Sequence, residues 1–399
     1  ARLVSSDPAG GPQAALSRFR AEAASRTAAL ADLDRALPAP AFVGDPPLTL
    51  DDVDFVEGRL PSGPPLLRTH FGSTPFTDLS LIFDARGVRP EDVELLPLLP
   101  AALTEVGVTT AKGERLDYVQ AQERLRAEIY GFSADFDGNP ETGRFELAFQ
   151  ASTADPAELG KAAGWLESYL FRPALGPASR GRLVDVLRTR QKWYRSLFQE
   201  REESWVDGAA EAYLYQDDPL HMATRSPFTA LRHLTRLRWR LEDPSPEAFV
   251  AYAATFTALT AALDGERAGV ARLLEGVPGE LGETLRFELA HLPPDGWRED
   301  LRRVAAETRE DLSRKSGETI GRLSALARSL LVRRGLRVHV NGNPANTASA
   351  AAALERFAAR LPQGTAVPPP PRRAVVAERL SARYPGLGRA VHAALVNND

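Results

Sequence analysis

Histidine is the residue type most able to bind a metal or move a proton at neutral pH, and the sequence contains six histidines. They are His70, His221, His233, His291, His339 and His392. No two of them have the spacing of the HxxEH or HExxH zinc motifs. Glu288 and His291 have the Glu-x-x-His spacing of a di-iron bundle, but that centre needs a second copy and two more carboxylates. The sequence therefore predicts no zinc site in this chain and an ordinary histidine at position 291.

A second candidate is an acidic turn that resembles a calcium-binding loop. Four side chains with oxygen ligands occupy positions 1, 3, 5 and 12 of such a loop, namely Asp135, Asp137, Asn139 and Glu146. Position 6 is Pro140, where the EF-hand turn needs glycine, and strands are predicted on both sides in place of helices. The favoured interpretation is the polar turn of a β-hairpin.

Nucleotide binding and nucleophilic catalysis find no support in the sequence. Gly138 and Gly143 have the glycine spacing of a phosphate loop, without the Lys or Ser/Thr that would contact phosphate and magnesium. No Gly-x-Ser-x-Gly elbow exists. Cysteine is absent, which excludes disulfides, thiolate zinc sites and a cysteine nucleophile. Considered by residue chemistry alone, the chain is a non-catalytic globular piece with no predicted catalytic, cofactor-binding or metal-binding residue.

Two further patterns allow a binding or a structural interpretation. The acidic runs 51–54 and 217–218 could orient a cationic peptide, but a solvated loop and a helix end are favoured. An aromatic-rich helical region could line a ligand, although a core stripe is favoured. Its members are Trp193, Tyr194, Phe198, Trp205, Tyr213 and Tyr215.

Length and charge limit the classes of partner. A chain of 399 residues is long enough for roughly two to three domains. Its formal net charge of -4 provides no global basic field, so nucleic acid is not an expected partner. The apolar stretch 249–263 is too short to span a bilayer and is predicted to be a buried helix, so no membrane span is expected. Because no initiator Met or signal-like segment begins the chain, we expect a mature product or a piece of a longer protein.

The elements that would position these residues follow a simple order. A helix is predicted over 13–36, then a proline-rich loop to about Pro65, then strands near 79–83, 130–137 and 145–152. In the last two strands, alternation places apolar side chains on one face: Tyr130, Phe132, Ala134, Phe136, Phe145, Leu147, Phe149 and Ala151.

The remainder is mainly helical. Asp155, Pro156 and Glu158 have the pattern of a helix start. Further helices are predicted at 178–200, 204–215, 226–240, 246–264 and 280–291, with one long helix over 297–333. A strand at 336–341, a helix at 347–361 and a polyproline linker at 368–371 follow. The sequence predicts an α+β fold, a mostly antiparallel sheet covered by helices, with an N-terminal helical linker.

Several segments resemble the insulinase (pitrilysin) family of zinc metallopeptidases, in particular its presequence-protease subgroup. Residues 95–107, with the sequence LLPLLPAALTEVG, are similar to the "PLL..L.E.GT" helix and turn of that family's third domain. Residues 67–70, 76–84 and 89–92 resemble that domain's opening strands and helix start. Residues 116–133 resemble its "Y..L...I...TGGIS" segment, and 335–343 with the helix ending at Pro362 resemble its closing elements. Tyr130 stands where the family has glycine, and 108–114 resembles an insertion.

The resemblance implies three segments: 1–45 as a helical linker between two halves, 46–362 as an insulinase-like α+β domain, and 363–399 as a linker with the first strand of a truncated following domain, at 393–397. It also implies a parent enzyme in which zinc-activated water attacks a peptide bond. The zinc-binding HxxEH helix of the family lies in its first domain and substrate-binding Arg and Tyr in its fourth, so no catalytic residue is carried onto this chain.

By this resemblance, the chain is a non-catalytic C-terminal-half fragment that forms part of the substrate chamber wall. Zinc would belong to the N-terminal half of the parent. The implied partners are a peptide substrate, the N-terminal catalytic half and the remaining C-terminal domain. The alternative is a non-catalytic insulinase-like interaction or structural subunit. The sequence leaves the location open, with a secreted or cell-envelope location favoured over others.

Overall fold

The computed structural model describes residues 11–36, 54–72, 74–139, 142–365 and 375–386. The chain divides into two compact units, residues 1–52 and 53–399. The first unit contains helix α1, Gly11–Ala36, where the sequence predicts one. The predicted polyproline linker and the predicted strand at 393–397 lie outside the described residues. The three-segment division implied by the resemblance stays a prediction.

Six strands of the described second unit form one sheet in the order β1-β2-β8-β3-β7-β6. They are β1 Asp54–Arg59, β2 Pro65–His70, β3 Thr77–Asp84, β6 Gly131–Asn139, β7 Arg144–Thr153 and β8 Arg337–Gly342. Neighbouring strands are antiparallel except β2 and β8, which are parallel. A separate two-stranded ribbon is formed by β4 Val108–Thr109 and β5 Arg115–Leu116. The fold is α+β with a mainly antiparallel sheet.

Helices make up most of the rest of the described second unit. They are α2 Leu99–Thr104, α3 Tyr118–Glu128, α4 Leu159–Phe171, α5 Arg180–Leu197, α6 Val206–Leu214, α7 Pro219–Arg225, α8 Pro227–Leu241, α9 Pro246–Ala262, α10 Arg267–Glu275, α11 Gly279–His291, α12 Trp297–Ser313, α13 Ser316–Leu330, α14 Pro344–Ala358 and α15 Val375–Arg383. Short 3₁₀ helices occur at Pro90–Leu95, Pro156–Glu158, Pro177–Ser179 and Glu202–Ser204.

The hairpin β6–β7 has the alternation that the sequence predicts. Its register pairs Phe136 with Leu147 and Ala134 with Phe149, so these side chains share one face. The β7 residues of that face, Phe145, Leu147, Phe149 and Ala151, are buried. Tyr130 differs from the prediction, because it precedes β6 and is exposed.

The helix start predicted at Asp155 is confirmed in its capping contacts. The Asp155 carboxylate accepts a hydrogen bond from the Ala157 amide at 2.7 Å, and Glu158 accepts one from the Ala154 amide at 3.0 Å. The first turn is 3₁₀ and continues into α4. The apolar stripe of α4 is buried against the sheet, including Leu166 and Leu170.

Four sequence predictions about elements are wrong. The loop predicted up to Pro65 contains the edge strand β1, whose side chains are exposed and so lack a strong apolar pattern. Helices α7 and α10 form where the sequence predicts no helix. The long helix predicted over 297–333 is two helices, because Arg314 is extended (ψ 144°) and the Asp243 carboxylate accepts the Ser316 amide at 2.9 Å.

The fourth wrong prediction is the burial of segment 249–263. Helix α9 forms there, but Phe249 is 43% and Val250 68% exposed. Only Phe256, Leu259 and Leu263 of its large apolar side chains are buried. Helix α9 packs mainly against α10 and α12, so the apolar side chains on its other side stay exposed.

Candidate functional site

The residues singled out by their chemistry are dispersed in the structure. Among the described residues, no three His, Asp or Glu side chains come together in a way that could hold a metal ion. The His291 Nδ1 atom lies 2.8 Å from the Phe287 carbonyl oxygen, and its ring packs on the Phe287 ring. His392 lies outside the described residues.

The acidic turn forms part of the hairpin, and its carboxylates bind separate arginines. Asp137 accepts a hydrogen bond from Arg225 at 2.9 Å. Glu146 forms a bidentate pair with Arg337, whose Nε atom lies 3.0 Å from Glu146 Oε1. The second acidic run ends at Asp218, which caps the start of α7, a helix that the sequence does not predict, by accepting the Leu220 amide at 3.1 Å.

The aromatic-rich region is not a core stripe. Trp193 and Tyr213 are exposed, at 57% and 59%. Phe198 stacks on Phe228 with ring centroids 4.8 Å apart, and Trp205 contacts both rings edge-on. The other four aromatic side chains of the region are half-buried and none is fully buried, so the predicted core stripe is wrong.

One face of the sheet is polar, and we call it the open face. It consists of the half-buried or exposed side chains that alternate with the buried core residues of β3, β7 and β8 and continue onto β6. These side chains are Asp78, Ser80, Ile82, Asp84, Glu146, Ala148, Gln150, Ser152, Arg337, His339, Asn341, Ser133 and Asp135. The strand register aligns His339, Ser80, Gln150 and Ser133 in one row across four strands.

At one end of the open face, two side-chain donors lie next to the Asp78 carboxylate. Ser152 Oγ donates to Asp78 Oδ1 at 2.6 Å, and Asn341 Nδ2 lies 3.5 Å from Asp78 Oδ2. The Asn341 Oδ1 atom is buried without a hydrogen-bond partner among the described residues. Asp78 therefore links β3 to the side chains of β7 and β8 at this end of the face.

His339 occupies the middle of the open face as a neutral imidazole. Its Nε2 atom lies 2.9 Å from Thr69 Oγ1. Burial lowers the pKa of His339, Asp78 opposes this change, and Arg337 adds to it. The arrangement is not a Ser-His-Asp triad, because the imidazole bonds to Thr69, whereas Asp78 bonds to Ser152. Sequence alternation over 336–341 places His339 on this face, but no motif marks it as functional.

A second polar region is a buried ion network between the 3₁₀ helix Pro90–Leu95 and helices α8, α12 and α13. No sequence pattern indicates this network, because its members are far apart in the chain. Arg240 donates to Asp311 at 2.6 Å and to Glu94 at 2.9 Å, and Arg236 donates to Asp311 at 2.8 Å. Burial raises the pKa of Glu94, but the Arg240 hydrogen bond and nearby arginine charges outweigh it, so the pKa lies below its usual value.

A cleft of about 820 Å³ opens beside this network. Its lining includes Met222, His233 and Arg322. The His233 Nδ1 atom is buried without a hydrogen-bond partner in the described structure, and burial lowers the pKa of His233 to about 4. The cleft therefore combines a neutral imidazole with balanced charges, which suits a structural junction better than proton transfer at neutral pH.

No family model and no curated protein sequence matches the chain. Among solved structures, the chain is similar to the inactive domain of a peptidase M16 from Pseudomonas fluorescens, at 17% identity and a TM-score of 0.39, covering 79% of this chain and 52% of that chain. It is also similar to the periplasmic protease PqqL from Escherichia coli, at 9% identity and a TM-score of 0.41, covering 82% and 26%.

A third similar structure is the ferredoxin protease FusC in complex with Arabidopsis ferredoxin, at 10% identity and a TM-score of 0.43, covering 80% and 25%. The chain thus spans between about a quarter and about half of the lengths of these proteins. In the described parts of the chain, no helix combines the length and apolar character needed to cross a bilayer.

Proposed function

We propose that the chain is a non-catalytic part of the C-terminal half of an insulinase-like zinc metallopeptidase that degrades peptides, and that it forms part of the substrate chamber wall. The presequence-protease subgroup is the proposed relationship within that family. Zinc, the catalytic half and the last C-terminal domain would be supplied by the rest of the same protein. The substrate would be an unfolded peptide.

The observation that carries this proposal is the open face. Its opposite side is covered with buried apolar residues such as Leu81, Phe149 and Val340, whereas the open face presents mainly polar side chains. A wall built of Ser, Gln, Asn and Asp offers donors and acceptors to an extended peptide backbone, whose amides and carbonyls need hydrogen bonds once they leave water.

The segment that resembles the family's helix and turn also has the conformation that its sequence requires. Gly107 has φ +96°, and a Cβ atom there would lie 2.6 Å from the Leu116 carbonyl oxygen. Glycine is therefore needed where the "L.E.G" pattern has it. The leucines of this segment, including Leu96 and Leu103, are almost completely buried beneath the sheet.

A reconstitution experiment tests this function. The chain is mixed with the HxxEH-containing half from the same source, and hydrolysis of an unstructured quenched-fluorescent peptide is followed. We expect zinc-dependent cleavage by the mixture and none by the chain alone. Ser80→Arg with Gln150→Arg should lower the rate by roughly tenfold or more, because two long cations would occupy the open face.

The matched control adds the same charges to exposed positions of α13, as Ala325→Arg with Ser329→Arg, and should leave the rate within about twofold. Cleavage by the chain alone would contradict the non-catalytic assignment. Equal rates for both double variants would contradict the chamber-wall assignment.

The alternative, a non-catalytic insulinase-like interaction or structural subunit, is favoured by one observation. Helix α9 has no charged residue from Phe249 to Ala262 and exposes much of its surface. The hydroxyls of Thr255, Thr257 and Thr260 donate to backbone carbonyls four residues earlier, so each hydroxyl hydrogen is bonded within the helix. If the reconstituted mixture shows no cleavage while the two halves form a stable complex, this alternative holds.

A further inference from the structure

A groove of about 560 Å³ lies at the end of the sheet opposite Asp78, where β1, β3, β7 and β8 meet. We call it the arginine groove. Its charged lining residues are Arg59, Arg86, Arg144, Arg333, Arg334, Arg337, Asp84 and Glu146. Six arginines thus face two carboxylates, within a chain whose formal net charge is -4. The local charge is opposite in sign to that of the whole chain.

Both carboxylates of the groove are already engaged. Asp84 Oδ1 accepts Arg86 Nε at 2.9 Å and Asp84 Oδ2 accepts Arg86 Nη2 at 2.7 Å. Glu146 binds Arg337 in the same bidentate way. Each of these pairs is neutral and fixes part of the floor of the groove, so no carboxylate of the described residues compensates the remaining four arginine charges.

Neutral acceptors hold two of the other four arginines, which leaves the charge of their guanidinium groups unpaired by a described carboxylate. Arg59 Nη1 donates to the Gly63 carbonyl at 3.0 Å, and Arg333 Nη2 donates to Gln363 Oε1 at 2.7 Å. Arg144 and Arg334 are exposed and form no ion pair with a carboxylate of the described residues. Neutral acceptors position a guanidinium and leave its remaining N–H groups available.

We propose that the arginine groove binds an acidic peptide segment through its side-chain carboxylates. Guanidinium groups bind carboxylates in bidentate geometry, and an excess of four positive charges calls for more than one carboxylate. The groove continues the open face, because Arg337 and Glu146 belong to both, so a peptide lying along that face reaches it. The peptide nature of the ligand rests on the proposed function, whereas the preference for carboxylates rests on the groove.

Fluorescence anisotropy with the full chain tests the proposal. The probes are a labelled Glu/Gly peptide with an amidated end, the matched Lys/Gly peptide, a Ser/Gly peptide with a free carboxyl end, and a single-stranded oligonucleotide of equal length. We expect the Glu/Gly peptide to bind more tightly than every other probe, with affinity that falls as salt rises. Equal or tighter binding of any other probe would overturn the proposal.

A comparison of double variants in the groove and on α12 tests where the peptide binds. Arg144→Gln with Arg334→Gln should raise the Kd of the Glu/Gly peptide by roughly tenfold. The control, Arg302→Gln with Arg309→Gln, removes the same charge from exposed positions of α12 and should change the Kd by less than about twofold. Arg144→Glu with Arg334→Glu should favour the Lys/Gly peptide. An equal effect of the groove and control variants would overturn the proposal.

The outcome separates this proposal from the proposed function. If acidic peptides bind with this arginine dependence while the reconstituted halves cleave nothing, the groove stands and the peptidase assignment fails. If the reconstituted halves cleave acidic and neutral peptides equally, and the groove variants have no effect, the peptidase assignment stands and the groove proposal fails.

Discussion

The second unit of the chain contains two hydrophobic cores, and they differ in how completely they enclose their helices. The larger core lies beneath the sheet and includes Phe83, Phe149 and Trp165. The smaller core is formed among α9–α12 and includes Leu259, Leu285 and Trp297. Helix α4 is enclosed by β7, α14 and other elements of the first core, whereas α9 packs mainly against α10 and α12. Two helices of similar apolar character therefore differ in burial because they have different numbers of neighbours.

Helix α8 joins the two cores. Leu234, Leu237 and Leu241 belong to the sheet core, while Trp239 belongs to the helical core. The buried ion network begins on the same helix at Arg236 and Arg240 and reaches α12 at Asp311. An ion pair of this kind seldom adds much net stability, but it fixes how the elements meet, since a displaced member would leave a charge buried.

The largest effect is expected in the sheet core. Phe149 is completely buried and meets Phe83 edge-on, with ring centroids 6.1 Å apart. Phe149→Ala should lower the free energy of unfolding by roughly 3–5 kcal/mol, measured by chemical denaturation. Phe55→Ala on the exposed edge strand is the control and should cost less than about 1 kcal/mol. A cost below about 1 kcal/mol for Phe149→Ala would invalidate the core assignment.

The junction between the cores should be nearly as sensitive. Arg240→Met removes one of the two arginine partners of Asp311, whose side chain is completely buried. We expect a loss of about 3 kcal/mol and separate melting transitions for the two cores in calorimetry. Arg232→Met removes an arginine from the more exposed pair with Glu307 and should cost less than about 1 kcal/mol. Equal costs would show that the network does not hold the junction.

A smaller, pH-dependent effect is expected from His233. Burial lowers its folded-state pKa to about 4, Glu94 opposes that shift, and Arg236 adds to it. Because the unfolded chain takes up the proton first, stability is fully present above about pH 6.5 and is lost as pH falls towards about 4. Because solvent in the open cleft screens the charge, we expect the loss in the free energy of unfolding to be only about 1–2 kcal/mol.

The measurement compares the pH dependence of unfolding in the wild type and in His233→Gln. The variant should lose less stability between about pH 7 and about pH 4.5 than the wild type does. The corresponding control is His291→Gln, since His291 is exposed. Identical slopes for wild type and His233→Gln would show that His233 does not carry the effect.

The smallest effect is expected on the outer face of α9. Val250→Ser should change the free energy of unfolding by less than about 0.5 kcal/mol, because Val250 is largely exposed. Leu259→Ala on the same helix should cost roughly 2–4 kcal/mol, because Leu259 is completely buried. Thermal and chemical denaturation measure both. A cost of several kcal/mol for Val250→Ser would mean that another surface covers this face.

Local sequence is sufficient to specify the elements whose signals agree with one another. The hairpin β6–β7, the capped start of α4 and strand β8 each combine a clear apolar period with turn or cap residues, so neighbouring residues suffice to predict them. The absence of cysteine and the unfavourable spacing of the histidines likewise limit the chemistry that the chain can perform, whatever its fold.

The remaining features are set by tertiary contacts, because they depend on residues that are distant in the chain. The break between α12 and α13 is stabilised by Asp243, about seventy residues away, and no local signal predicts it. The exposure of α9 depends on how few elements pack around it. The arginine groove unites residues from 59 to 363, which sheet pairing brings to one end of the strands, and a sequence pattern cannot reveal such a cluster because it has no period.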